Sequence, residues 1–102
     1  MKADLFRALA HPVRIRILEL LAARERTVQD LQDALALDQP AVSQHLAALR
    51  TRRLVTSRKE GTQAYYALSS PLVTELLKVS REFLGDRLTE SQSMLRALRR
   101  ER

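Results

Sequence analysis

Cysteine and tryptophan are absent from this chain of 102 residues, glycine occurs twice, and aromatic residues make up 4%. Without cysteine there is no disulfide, no thiolate metal ligand and no thiol redox chemistry. Two glycines cannot furnish a glycine-rich phosphate loop. Two histidines, with no paired carboxylates in an expected cleft, leave nothing like a catalytic triad, so no catalytic residues and no cofactor are expected. Charges interrupt every apolar stretch short of the roughly 18 residues a membrane span needs. The opening Met1-Lys2-Ala3-Asp4 lacks the apolar centre of a signal peptide, which favours a cytoplasmic place.

What is present is leucine and arginine. Hydrophobic residues are 45% of the chain and charged residues 29%, enough apolar surface for the core of a single domain over residues 1–102. The formal net charge is +6 and the sequence pI about 10.7, which favours a polyanionic partner. The basic excess is densest at Arg50, Arg52, Arg53, Arg58 and Lys59. Alone, such a run also fits a solvated face; its neighbours give it meaning.

All three prolines read as helix starters, because proline loses nothing at a first helical position. A first helix over about residues 3–10 groups Leu5, Phe6 and Leu9. A second, from Pro12 to about Arg24, carries Ile17, Leu18 and Leu21 at helical spacing. Thr27 followed three positions on by Asp30 is a capping-box pattern, opening a third helix to about Ala36 that buries Val28, Leu31 and Leu35. After a break at Leu37-Asp38-Gln39, a fourth helix from Pro40 to about Arg52 sets Val42, Leu46 and Leu49 inward. Two short helices joined this tightly must cross steeply, so a helix-turn-helix is expected over about 27–53. Leu54–Lys59 and Thr62–Leu68 flank Glu60-Gly61 and predict a hairpin, with Tyr66 and Leu68 facing the core and Tyr65 turned away. From Pro71 a helical pattern continues to about residue 100, with Val73, Leu76, Leu77, Phe83, Leu84, Leu88, Leu95 and Leu98 as its apolar positions and Gly85 as the place for a break. Some 30 helical residues would reach about 45 Å, more than one small domain can cover, so a second copy of the chain is the simplest cover.

The fourth helix turns an unusual side outward. Ala41, Gln44, His45 and Ala48 are small or neutral, where a solvent face favours Glu and Lys. Alanines let a helix approach a groove floor, glutamine can pair two-pronged with adenine, and Ser43 can donate to a base or phosphate. The competing reading is a modest polar helix in a bundle. A basic hairpin following such a helix has the place of a wing touching the DNA backbone or the adjacent minor groove.

At these residues the sequence resembles a known family. Ala8–Leu21 (ALAHPVRIRILELL) is similar to the second-helix signature of the ArsR/SmtB winged-helix repressors, Pro40–Arg50 (PAVSQHLAALR) to their recognition helix, and Leu54–Leu68 to their wing. The resemblance covers about residues 3–84. It implies a mainly α fold with a small β-hairpin, ordered α1-α2-α3-α4-β-β-α5(-α6). It further implies a homodimeric, nucleoid-associated repressor on a palindromic double-stranded DNA operator, with the first and last helices as dimer interface. Base reading then falls to Gln39, Ala41, Ser43, Gln44 and His45. Phosphate and wing contacts fall to Arg50, Arg52, Arg53, Arg58, Lys59, Thr62 and Gln63. The interface falls to Leu5, Phe6, Leu9, Val73, Leu76, Leu77, Phe83, Leu84 and Leu88.

The chain departs from the family's metal sensors. It has no cysteine, and residues 71–102 hold no histidine. No metal site is therefore expected, Glu75, Glu82, Asp86 and Glu90 read as surface charges, and no effector is named. Arg53 stands where the family usually has a helix-ending glycine. The alternative of a winged-helix protein-interaction module without DNA suits an acidic or apolar outer face, whereas this one is basic.

Overall fold

The computed structural model describes residues 2–83, with side chains from Phe6 onward. In chain order the elements are α1 (Lys2–Leu9), α2 (Pro12–Ala23), β1 (Arg26–Thr27), α3 (Val28–Leu35), α4 (Gln39–Thr51), β2 (Val55–Glu60) and β3 (Gln63–Leu68). A further helix, α5, covers residues 71–83. Gly85, Leu84, Leu88, Leu95 and Leu98 lie outside the described residues, as does the Leu5 side chain.

Each helix start has a local cause. His11 caps α2 from an extended backbone, its Nδ1 accepting the Val13 amide at 3.2 Å, with Pro12 next in line. Thr27 and Asp30 form the reciprocal capping box, each backbone amide donating to the other's side chain at 3.1 Å. Asp38 caps α4 by accepting the Ala41 amide at 3.0 Å, so that helix begins one residue before Pro40. The Ser70 hydroxyl accepts the Leu72 amide at the start of α5.

Helix α4 ends in a left-handed residue. Arg53 has φ +58°, the Leu54 amide reaches back to the Leu49 carbonyl at 3.0 Å, and the Arg53 amide reaches Arg50 at 2.9 Å. This is a Schellman closure, with buried Leu49 and Leu54 as its hydrophobic partners. Arg53 thus occupies the conformation glycine adopts without strain, which explains why a glycine suits that position.

The sheet has three antiparallel strands in the order β1-β3-β2. The expected hairpin is present, with Val55 opposite Leu68 through to Glu60 opposite Gln63, and Gly61 in the turn at φ +65°. The added strand pairs Arg26 with Tyr66 and Thr27 with Tyr65. Two residues are too few to show alternation in a sequence. Thr27 joins the sheet because a helix-capping residue is extended, here at φ −84° and ψ 167°.

The core gathers Ile17, Leu18, Leu20, Leu21, Leu31, Val42, Leu46, Leu49, Leu54, Val55, Val73 and Leu77. Tyr66 and Leu68 pack against it, as the strand pattern predicts. Val73 and Leu77, expected at a dimer interface, are 7% and 8% exposed and belong to the chain's own core. Most of each side chain is therefore taken up by the chain's own core, leaving little of it for a partner.

Candidate nucleic-acid interface

Helix α4 advances about 100° per residue, so Val42, Leu46 and Leu49 fix which way every other side chain points. With those three buried, Pro40, Gln44, Ala47 and Thr51 lie on the far side, and all four are exposed. The open strip is therefore turned by about one residue position from the expected one. Gln44 belongs to both. Ala47 and Thr51 were missed by the sequence reading, although laying α4 on a wheel about its three core residues would have found them.

One flank of that strip carries Ser43 and Gln39, joined by a hydrogen bond from Gln39 Nε2 to Ser43 Oγ at 2.9 Å, together with exposed Arg50. Ala47, Arg50 and Thr51 line a shallow depression near the end of the helix. The other flank is half-buried and holds Ala41, His45, Ala48 and Arg52. His45 turns toward the beginning of α2. Its ring meets that of His11 edge-on at 4.5 Å between centroids, and Arg14 Nε donates to its Nδ1 at 3.3 Å. Burial first, then the facing His11 and Arg14, hold the His45 imidazole below its usual pKa. A neutral ring with its Nδ1 lone pair already engaged joins α4 to α2. The expected base-reading role of His45 thus meets a side chain occupied elsewhere.

The basic residues also divide. Arg50, Arg53 and Lys59 are exposed. Arg52 Nη1 donates to the Ala48 carbonyl one turn back at 3.0 Å. The Arg53 carbonyl accepts the Ser69 hydroxyl at 2.7 Å, fastening the end of α4 to the end of β3. Thr62 and Gln63 are exposed beside the Gly61 turn. Arg58 is engaged by two carboxylates, Glu25 and Glu60, and its guanidinium carbon stands 4.8 Å from the Tyr65 ring centroid.

Apolar side chains stay uncovered on two elements. Phe6 on α1 is 64% exposed, and on α5 Leu72, Val79 and Phe83 are 74%, 58% and 78% exposed. Leu72, Leu76, Val79 and Phe83 fall at helical intervals, forming one stripe beside the buried Val73 and Leu77, with Leu76 half-buried. Leu72 and Val79 were not among the expected interface residues, and Leu9 leans on the core instead. Among the described residues, no three His, Asp or Glu side chains converge as metal ligands do, and no helix is long and apolar enough to cross a membrane.

Residues 11–57, from the cap of α2 into β2, match a family model described as bacterial regulatory protein, arsR family. Over 100 residues, 97% of this chain and 88% of the relative, the sequence is 40% identical to the HTH-type transcriptional regulator Rv0081 of Mycobacterium tuberculosis. The crystal structure of Rv0081 aligns with a TM-score of 0.80 at 41% identity, over 88% of this chain and 91% of that one. A homodimeric winged helix-turn-helix DNA-binding domain of Mycobacterium bovis, solved in solution, aligns with a TM-score of 0.77 at 34% identity, over 84% and 80% of the two chains. Nodulation protein NolR of Rhizobium meliloti is 37% identical over 82% of this chain and 69% of the relative. Together with the short α3 and α4, joined by a brief connection, and the hairpin that follows them, these likenesses define a winged helix-turn-helix transcriptional regulator that binds DNA. The chain belongs to the arsR family of bacterial regulatory proteins.

Proposed function

We propose that the protein is a repressor that binds a palindromic operator as a homodimer, with α4 of each copy laid in a major groove. The observation that carries this reading is the outer strip of α4: Gln44 followed one and two turns on by the small side chains of Ala47 and Thr51, with Arg50 on its flank and all four exposed. A long acidic or lysine-rich face would hold the helix off the bases, whereas this one permits close approach. Gln44 reads a base pair, the joined Gln39 and Ser43 meet the edge of the groove, and Arg50, Arg53 and Lys59 face phosphates. Ala41 is half-buried and too short to reach far, and its part is to leave room.

The second copy is proposed to cover Phe6 and the α5 stripe of Leu72, Leu76, Val79 and Phe83. Large exposed apolar side chains at helical intervals suit such an interface, and the Mycobacterium bovis neighbour is itself homodimeric. A twofold pair places its half-sites about 10 base pairs apart or at a multiple of that spacing. Its signal is proposed to be something other than a metal held by cysteine, since the chain has none.

Selection of bound sites from random duplex DNA tests the reading. An inverted repeat is expected, and Gln44→Ala should relax preference at one position per half-site by about 1–3 kcal/mol. Recovery of sequences without symmetry, or an unchanged preference in the variant, would overturn it.

A further inference from the structure

The wing carries an arginine whose three guanidinium nitrogens all have carboxylate partners. Arg58 Nε donates to Glu25 Oε2 at 3.3 Å, Nη2 donates to Glu25 Oε1, and Nη1 donates to Glu60 Oε2. The two-pronged edge that would grip a phosphate is the edge Glu25 occupies. The path of the side chain matters as much as its partners. Arg58 on β2 and Thr27 on β1 both pair with Tyr65 on the central strand, so all three share one face of the sheet. To reach Glu25, two residues before Thr27, Arg58 must pass over Tyr65 and span the sheet, about 10 Å across two strand spacings. Its guanidinium lies above the Tyr65 ring as it does so.

Glu25 stands between the end of α2 and β1, and β1 runs straight into the capping box that starts α3. Arg58 therefore ties the hairpin to the first residues of the helix-turn-helix. We propose that Glu25 and Arg58 are positioning residues, a strut that sets the angle of the wing relative to α4, so that DNA binding depends on both although neither touches DNA. With both prongs of its guanidinium met by glutamates, Arg58 presents a poor surface for a phosphate. Lys59, on the opposite face of β2, carries the phosphate contact instead. The inference rests on the DNA-binding reading above. Wild-type binding measured alongside separates a failure of that reading from a failure of this one.

The test is the affinity of wild-type and variant protein for one duplex, carrying a selected site, across a salt series. Simple electrostatics says that removing an acidic charge strengthens binding to DNA. The strut gives the opposite sign. Glu25→Gln should weaken binding about two- to fivefold, the range an exposed charge pair supports. Arg58→Gln should weaken it similarly, the double variant no further than either single one, and neither should change the salt slope. The reversed pair, Glu25→Arg with Arg58→Glu, should recover part of the loss. Lys59→Ala should lower the slope by about one ion. If Glu25→Gln tightens binding, or Arg58→Gln lowers the salt slope as a lost phosphate contact would, the strut is overturned and Arg58 is a DNA contact that Glu25 masks.

Discussion

Arg53 and His45 show how much one side chain can alter the function expected of it. Arg53 ends α4 at positive φ, a backbone conformation costing an L-residue about 1–2 kcal/mol relative to glycine. Arg53→Gly should stabilise the fold by about 1 kcal/mol, read as a higher denaturant midpoint with an unchanged slope, while weakening DNA binding by removing an exposed charge. A lower midpoint would mean that the arginine makes a compensating contact. His45 is held neutral in the fold, its pKa depressed by burial and by His11 and Arg14. A depressed pKa means the unfolded chain binds a proton first as pH falls. The stabilisation is therefore present above the unfolded value of about 6.5 and is lost as pH drops through the folded value. Between pH 7.5 and 5, wild-type protein should lose more stability than His45→Gln, which retains an acceptor for Arg14. Equal losses in chemical denaturation would remove His45 as the cause.

At the level of elements, the helices were legible because their signals are local. Proline, a capping side chain and an apolar period all act within a few residues, and α2, α3, α4 and the hairpin follow from them. The box that opens α3 should be measurable, with Thr27→Ala costing about 1 kcal/mol of stability. Because Thr27 also pairs with Tyr65, hydrogen exchange should quicken at the edge of the sheet as well as in the first turn of α3. Protection lost in α3 alone would separate the cap from the strand. The features that escaped the sequence depend on contacts distant along the chain. Arg58 meets Glu25 from 33 residues away, and no spacing rule joins them. His45 looked outward because Val42, Leu46 and Leu49 facing inward does not say which flank of α4 a neighbouring helix covers. The missing fact was that the start of α2 meets the His45 flank.

Across the whole molecule, the apolar pattern after Pro71 contains two stripes that the sequence could not separate. Period alone says that Leu72, Val73, Leu76, Leu77, Val79 and Phe83 are apolar on a helix. It does not say which of them the chain's own core takes. The structure gives Val73 and Leu77 to the core and leaves Leu72, Val79 and Phe83 outside. The two stripes should therefore respond differently to a charge. Phe83→Glu should yield a folded, monomeric protein with weakened operator binding. Leu77→Glu should unfold the domain, because an unpaired charge in the core costs several kcal/mol. Sedimentation paired with circular dichroism distinguishes the two outcomes. Folded monomers from both variants, or dimers from both, would refute the division.

Seating α5 by Val73 and Leu77 in the same apolar interior that seats α4 by Val42, Leu46 and Leu49 makes the two helices parts of one lever. In the proposed homodimer, a pivot of one copy against the other would then tilt the outer strip of α4 with it. A signal acting only at the proposed seam would shift both strips out of step with the groove repeat, without coming near DNA.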